Sequence, residues 1–151
     1  MQSNKNLVID CRIMRPGTGG AETFFFNMLP GLSKIYGEKN IFLMGDKSNI
    51  EFCSGLLPKN SFNIILIPLN VSNPIIRYFS SYIVSFLIRR KLNQNFILWH
   101  PFNTGALPFL SKVKKVVTVH DTYVFDVKTG FNLRKFFRAK DLINTLKYSN
   151  I

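Results

Sequence analysis

The chain is short of the residue types on which many enzymes and most secreted scaffolds depend. Its two cysteines, Cys11 and Cys53, are too few for a disulfide framework and belong to no Cys-x-x-Cys pair or Cys/His cluster with metal-ligand spacing. A reducing cytoplasm is the simplest expectation. There is no Ser or Cys nucleophile elbow, no His-x-x-x-His pair, and no Asp-x-Asp pair of the kind that holds a metal on a diphosphate, so metal dependence is not expected. The residues from Met1 to Asn6 are polar and show no signal-peptide architecture, which reduces the acceptor-like Asn70-Val71-Ser72 to a chance match. The stretch from Ile75 to Leu92 contains Arg77 and three serines, and its uncharged part, Tyr78 to Ile88, is shorter than the roughly 20 residues a membrane-spanning helix needs. A packed or surface-lying helix is expected there.

Acidic residues are also scarce, 8 against 20 basic ones, and the imbalance is local: 13 of the basic residues but only three of the acidic ones follow Ile75. A field of that sign attracts phosphate-bearing partners, whether nucleic acid, anionic lipid headgroups or diphosphate substrates. What the chain has in quantity is apolar surface. Hydrophobic residues are 46% of it and phenylalanine alone contributes 15, too much to leave in water. A length of 151 residues suits one domain, covering 1–151.

Periodicity divides that domain into alternating elements. Leu7 to Cys11, Ile41 to Met44, Phe62 to Ile67, Phe96 to Trp99 and Val116 to Val119 are short apolar runs with strand character. Between the first two, Phe25, Met28, Leu29, Leu32, Ile35 and Tyr36 recur at helical spacing, with a kink or break expected at Pro30-Gly31. A short helix is expected over Ile50 to Leu57. A long one follows over Ile75 to Leu92, opened by Pro74 and closed by Arg89-Arg90-Lys91, and a basic one over Asn132 to Tyr148. Such alternation predicts an α/β, doubly wound parallel sheet of Rossmann-like type with strand order 3-2-1-4-5.

In that architecture ligands bind beyond the carboxyl ends of the strands, where strand order reverses. The loop after Cys11 carries Pro16-Gly17-Thr18-Gly19-Gly20 and leads into a helix, a place where unpaired backbone N–H groups and the helix dipole favour an anion. A plain strand-to-helix turn is the alternative. Glu22 stands where a full Gly-x-Gly-x-x-Gly fingerprint has its third glycine, and a carboxylate there suits a sugar hydroxyl or a capping role better than a phosphate. The chain's two histidines, His100 and His120, each follow a strand run directly and are delivered to the same edge; each is a candidate for binding hydroxyls or polarising a leaving group, or else is structural. Asp121 is placed to orient His120 or to cap the next turn.

Four segments in order carry a family resemblance: Ile9-Asp10-Cys11-Arg12, Gly19-Gly20-Ala21-Glu22, His100-Pro101-Phe102-Asn103 and Val116-Val117-Thr118-Val119-His120-Asp121. With them the chain from Leu7 to about Asp126 resembles the N-terminal domain of a retaining glycosyltransferase of family 4, which has the GT-B fold. The resemblance implies transfer of a sugar from a nucleotide-diphosphate donor to a glycan or lipid-linked acceptor, as in cell-surface polysaccharide synthesis, with the nucleotide sugar as substrate and no cofactor or metal. By analogy Gly19 and Gly20 approach the donor diphosphate, His120 is the catalytic contact to the transferred sugar, and Glu22, His100 and Asn103 line the acceptor side. The family continues past the equivalent of Tyr148-Ser149-Asn150-Ile151 into a second domain that holds most of the donor site. The resemblance therefore implies that this chain alone is inactive, either truncated before the C-terminal nucleotide-sugar domain or completed by a C-terminal half supplied elsewhere.

Two further expectations attach to the charge. The segment with Phe136 and Phe137 among Arg134, Lys135, Arg138 and Lys140 suits an anionic membrane surface, making the protein cytoplasmic and peripheral at the inner face; the alternative is a solvated helix with two core phenylalanines. A nucleic-acid-binding module is the rival from another class, but no recognition motif accompanies the charge, and nucleic acid is not among the expected partners. A non-catalytic α/β partner subunit is the third reading.

Overall fold

A computed structural model describes residues 5–55, 62–71, 73–92, 95–102, 107, 110, 112–120 and 133–148. Five parallel strands, β1 (Asn6–Asp10), β2 (Ile41–Gly45), β3 (Asn63–Leu66), β4 (Phe96–His100) and β5 (Lys114–Val117), form one sheet in the order β3-β2-β1-β4-β5. Helices α1 (Gly20–Tyr36), α2 (Lys47–Gly55), α3 (Pro74–Leu92) and α4 (Leu133–Tyr148) flank it, giving the expected α/β architecture of Rossmann-like type.

The two-residue period of the strands sorts their side chains into two cores. Leu7, Ile9, Leu43 and Trp99 pack with Phe25, Leu29, Ile50 and Cys53 on the side of α1 and α2. Val8, Met44, Ile65 and Leu98 pack with Val84 and Ile88 of α3 on the other. The register Leu7↔Ile97, Val8↔Leu98 and Ile9↔Trp99 keeps the central strands in phase, so a residue's parity decides which face it serves.

Several element boundaries differ from the sequence reading. Helix α1 runs unbroken through Pro30. Pro30 and Gly31 both lie on the exposed side, where water can satisfy the carbonyl that proline leaves unpaired, while buried Phe25 and Leu29 hold the helix against the sheet. Helix α2 begins at Lys47 rather than at Ile50, because Asp46 caps it: Asp46 Oδ1 accepts from Asn49 N–H at 3.0 Å and from the Ser48 hydroxyl at 2.7 Å. Strand β5 comprises Lys114–Val117 instead of Val116 to Val119. Its extent follows from pairing with β4, Ile97↔Lys114 to His100↔Val117, and not from its run of valines, of which Val116 is exposed on this edge strand and Val119 is exposed beyond its end.

Candidate functional site

The carboxyl edge of the sheet is built from the ends of β1, β4 and β5 and the glycine loop. The loop turns through Gly17 at φ 82° and Gly19 at φ 68°, backbone that a side chain would strain. Gly19, with ψ −136°, precedes the first turn of α1, where its carbonyl accepts from the N–H groups of Glu22 and Thr23 at 3.0 and 3.3 Å and no side chain caps the helix. Glu22 folds back over this turn, and its Oε2 accepts from Gly17 N–H at 3.2 Å. The carboxylate thus closes the loop from within the helix.

His120 packs against the same helix, at Phe24. Its Nε2–H donates to the carbonyl of Pro101 at 2.7 Å, tying the end of the β5 segment to the end of β4. Since a carbonyl only accepts, this bond places the proton on Nε2. Phe24, in the first turns of α1, meets the imidazole edge-on at 5.4 Å between centroids, and Phe102 lies 6.2 Å from it. The ring is exposed but held on three sides. Trp99 steadies the same corner: its indole N–H donates to the Thr118 hydroxyl at 3.1 Å, and its ring stacks on Phe25.

His100 reaches the same edge but turns to the other face. It shares the parity of Leu98, so its side chain points toward α3 and is buried. There its Nδ1–H donates to Asp10 Oδ2 at 2.8 Å, and Arg12 grips the same carboxylate through Nε at 2.9 Å and Nη2 at 2.8 Å. Arg12 Nη1 then donates to the Ser81 hydroxyl of α3 at 3.0 Å. Burial alone would raise the pKa of Asp10 and favour its neutral form. The Arg12 guanidinium and the His100 hydrogen bond outweigh it and hold the carboxyl far below the usual range. His100 Nε2 is left without a hydrogen-bond partner. The acceptor-lining role expected of His100 is therefore not what its orientation favours; it is a strut beneath the rim, and the physical reason is strand parity.

The structure thus sets Gly19, Gly20 and Glu22 at the start of α1 and His120 against Phe24 of the same helix, and turns His100 toward α3. Asn103 and Asp121 lie outside the described residues.

Two features of this edge were not legible beforehand. One is the Asp10–Arg12–His100–Ser81 network, whose sequence signal is a charged pair, Asp10 at the last position of a buried strand and Arg12 just after it. The other is a cleft of about 380 Å³ between Asp46–Ser48 and Leu66–Asn70, at the ends of β2 and β3. An acidic residue after the second strand commonly holds a ribose in dinucleotide-binding folds. Here the Asp46 carboxylate is spent inwardly on Ser48, Asn49 and, through Oδ2 at 3.1 Å, the Val71 N–H. The two thiols face each other in the α1-side core: a hydrogen bond from Cys53 and burial push the Cys11 thiol up, which keeps it protonated and unreactive.

These features define a parallel α/β domain with a glycine turn and an imidazole at the ligand edge. No family model, curated protein or solved structure matches the chain.

Proposed function

We propose that this domain is the acceptor-side half of a GT-B glycosyltransferase resembling family 4. In this reading it helps transfer a sugar from a nucleotide-diphosphate donor to a glycan or lipid-linked acceptor in polysaccharide synthesis. The observation that carries the reading is that His120, held by the Pro101 carbonyl, packs on Phe24 of the helix that the Gly17–Gly20 turn opens. An anionic diphosphate suits the leading N–H groups of α1, and Gly19 and Gly20 present no side chain to obstruct its approach. His120, fixed by Pro101, is positioned to contact the transferred sugar. Glu22 braces the turn and presents its carboxylate to acceptor hydroxyls. The donor nucleotide itself belongs to a second half, so transfer requires that half in the same chain or as a partner.

The reading is tested by titrating the isotopically labelled 151-residue chain with a nucleoside diphosphate sugar and following backbone amide resonances. The expected shifts are at Gly19, Gly20 and His120, and His120→Ala should remove the response at the ring's neighbours while leaving the fold intact. Shifts confined to the Asp46–Asn70 cleft, or none even at ligand concentrations high enough to reveal the weak binding expected of the acceptor-side half alone, would end the proposal.

A further inference from the structure

Helix α3 is packed inside out. Its inner face, against the sheet, carries Arg77, Ser80, Ser81 and Ser85, all buried, beside the buried Val84 and Ile88 and the partly buried Leu92 that pack on the core. The serine hydroxyls are satisfied within the helix: Ser80 and Ser81 donate to the Arg77 carbonyl at 3.0 and 2.8 Å, and Ser85 to that of Ser81 at 2.7 Å. The outer face repeats at heptad-like spacing as Ile76, Phe79, Ile83 and Phe86, and these are 44%, 59%, 52% and 62% exposed. Arg90 is the next residue on that line and is exposed too.

Helix α4 lies alongside α3, joined through Phe137, which sits 5.5 Å from Tyr78 and 6.0 Å from Phe79 between ring centroids. Its own exposed line alternates apolar and cationic residues: Leu133, Phe136, Lys140, Ile143 and Lys147. The two helices together contain one acidic residue, Asp141. The side chains of Arg134, Lys135 and Arg138 lie outside the described set.

We propose that the joint outer face of α3 and α4 docks onto an anionic lipid bilayer, inserting Phe79, Ile83 and Phe86 at the level of the headgroups while Arg90, Lys140 and Lys147 engage lipid phosphates. The charge selects this occupant. A second copy would bring two cationic faces together, which like-charge repulsion opposes, whereas an anionic interface meets both the apolar stripe and the cations beside it. Nucleic acid would satisfy the cations but leave the isoleucines of the stripe against phosphate and water. No described helix is long and apolar enough to cross a membrane, so the attachment lies in the interface plane. The inference stands apart from the sugar-transfer reading, since it uses none of the rim residues.

Flotation of the 151-residue chain with vesicles tests it. Binding is expected to vesicles of phosphatidylcholine with phosphatidylglycerol and to be much weaker with phosphatidylcholine alone. Arg90→Glu, a change of two charge units, should weaken binding to the anionic vesicles by about 30-fold, at about fivefold per unit. Phe79→Ser with Phe86→Ser should weaken it by on the order of tenfold or more. Phe86→Trp gives an independent readout: the buried Trp99 is a constant background, so a blue shift on adding anionic vesicles reports insertion of residue 86. Binding that survives the double serine variant, or no shift from the new indole, overturns the proposal. So does sedimentation velocity showing a dimer that the serine variant dissociates, or retention by single-stranded RNA that exceeds retention by the anionic vesicles.

Discussion

The inner and outer faces of α3 invert the usual distribution of polarity, and the inversion has a cause on the inner side. The carboxyl edge of the sheet buries an ion pair, Asp10 with Arg12, with the His100 ring hydrogen-bonded to it, and a helix covering that cluster must offer hydroxyls and room. Serine supplies both: it is small enough for close approach and its hydroxyl can serve Arg12 while bonding back to its own helix. The bulky residues are thereby displaced to the outside. One helix therefore does two jobs, sealing a polar network under the rim and presenting an apolar stripe to whatever lies beyond, and the energetics of the two faces should differ sharply.

The largest effect is expected on the inner side. Asp10→Ala leaves the Arg12 guanidinium buried without its carboxylate and should cost about 3–5 kcal/mol in urea unfolding, enough to unfold much of the population of a small domain. The pH dependence follows from the same pair. Because the folded Asp10 carboxyl is held far below its unfolded value of about 3.9, its contribution is complete above that value and is lost as the pH falls from there toward the folded one. A urea midpoint for the native chain that stays flat from neutral pH down through pH 3 would break the comparison, since it would mean the cluster stores no stability.

An intermediate effect is expected at the rim. Gly19→Ala meets open space, so only backbone strain at φ 68° and ψ −136° opposes it, and the cost should be on the order of 1–2 kcal/mol by thermal or urea unfolding. The smallest effect belongs to the outer stripe: Phe79→Ser with Phe86→Ser should change stability by less than about 1 kcal/mol, because both rings are already largely in solvent. A large loss from that pair would show that the outer face contributes to the fold, and the contrast between the two sides of α3 would disappear.

The fold was largely legible in the sequence. Apolar runs such as Leu7 to Cys11 and Phe96 to Trp99, separated by amphipathic stretches, admit few arrangements other than a parallel sheet flanked by helices, and the order β3-β2-β1-β4-β5 follows the expected one. Element ends were less legible. Asp46 shifts the start of α2 by capping, and β4 dictates where β5 begins, so in both cases a hydrogen-bond partner outside the apolar run sets the boundary. Of the candidate site, the placement of the glycine turn and His120 at one edge could be reasoned from strand ends alone. The division between His120 and His100 could not, because both follow strands and only the register of β4 against β1 sends the His100 ring to the opposite face.

By itself the amino-acid order determined the number and sequence of elements, their parallel layering, the cationic second half and the edge to which the histidines are delivered, since all of these depend on periodicity and charge along the chain. Tertiary structure decided which side each element shows. Read alone, a helix containing Phe79, Ile83 and Phe86 would turn those residues inward. It turns them outward because Arg12, anchored to Asp10 two residues away, needs Ser81 within hydrogen-bond reach, and that bond joins residues 69 positions apart in the chain.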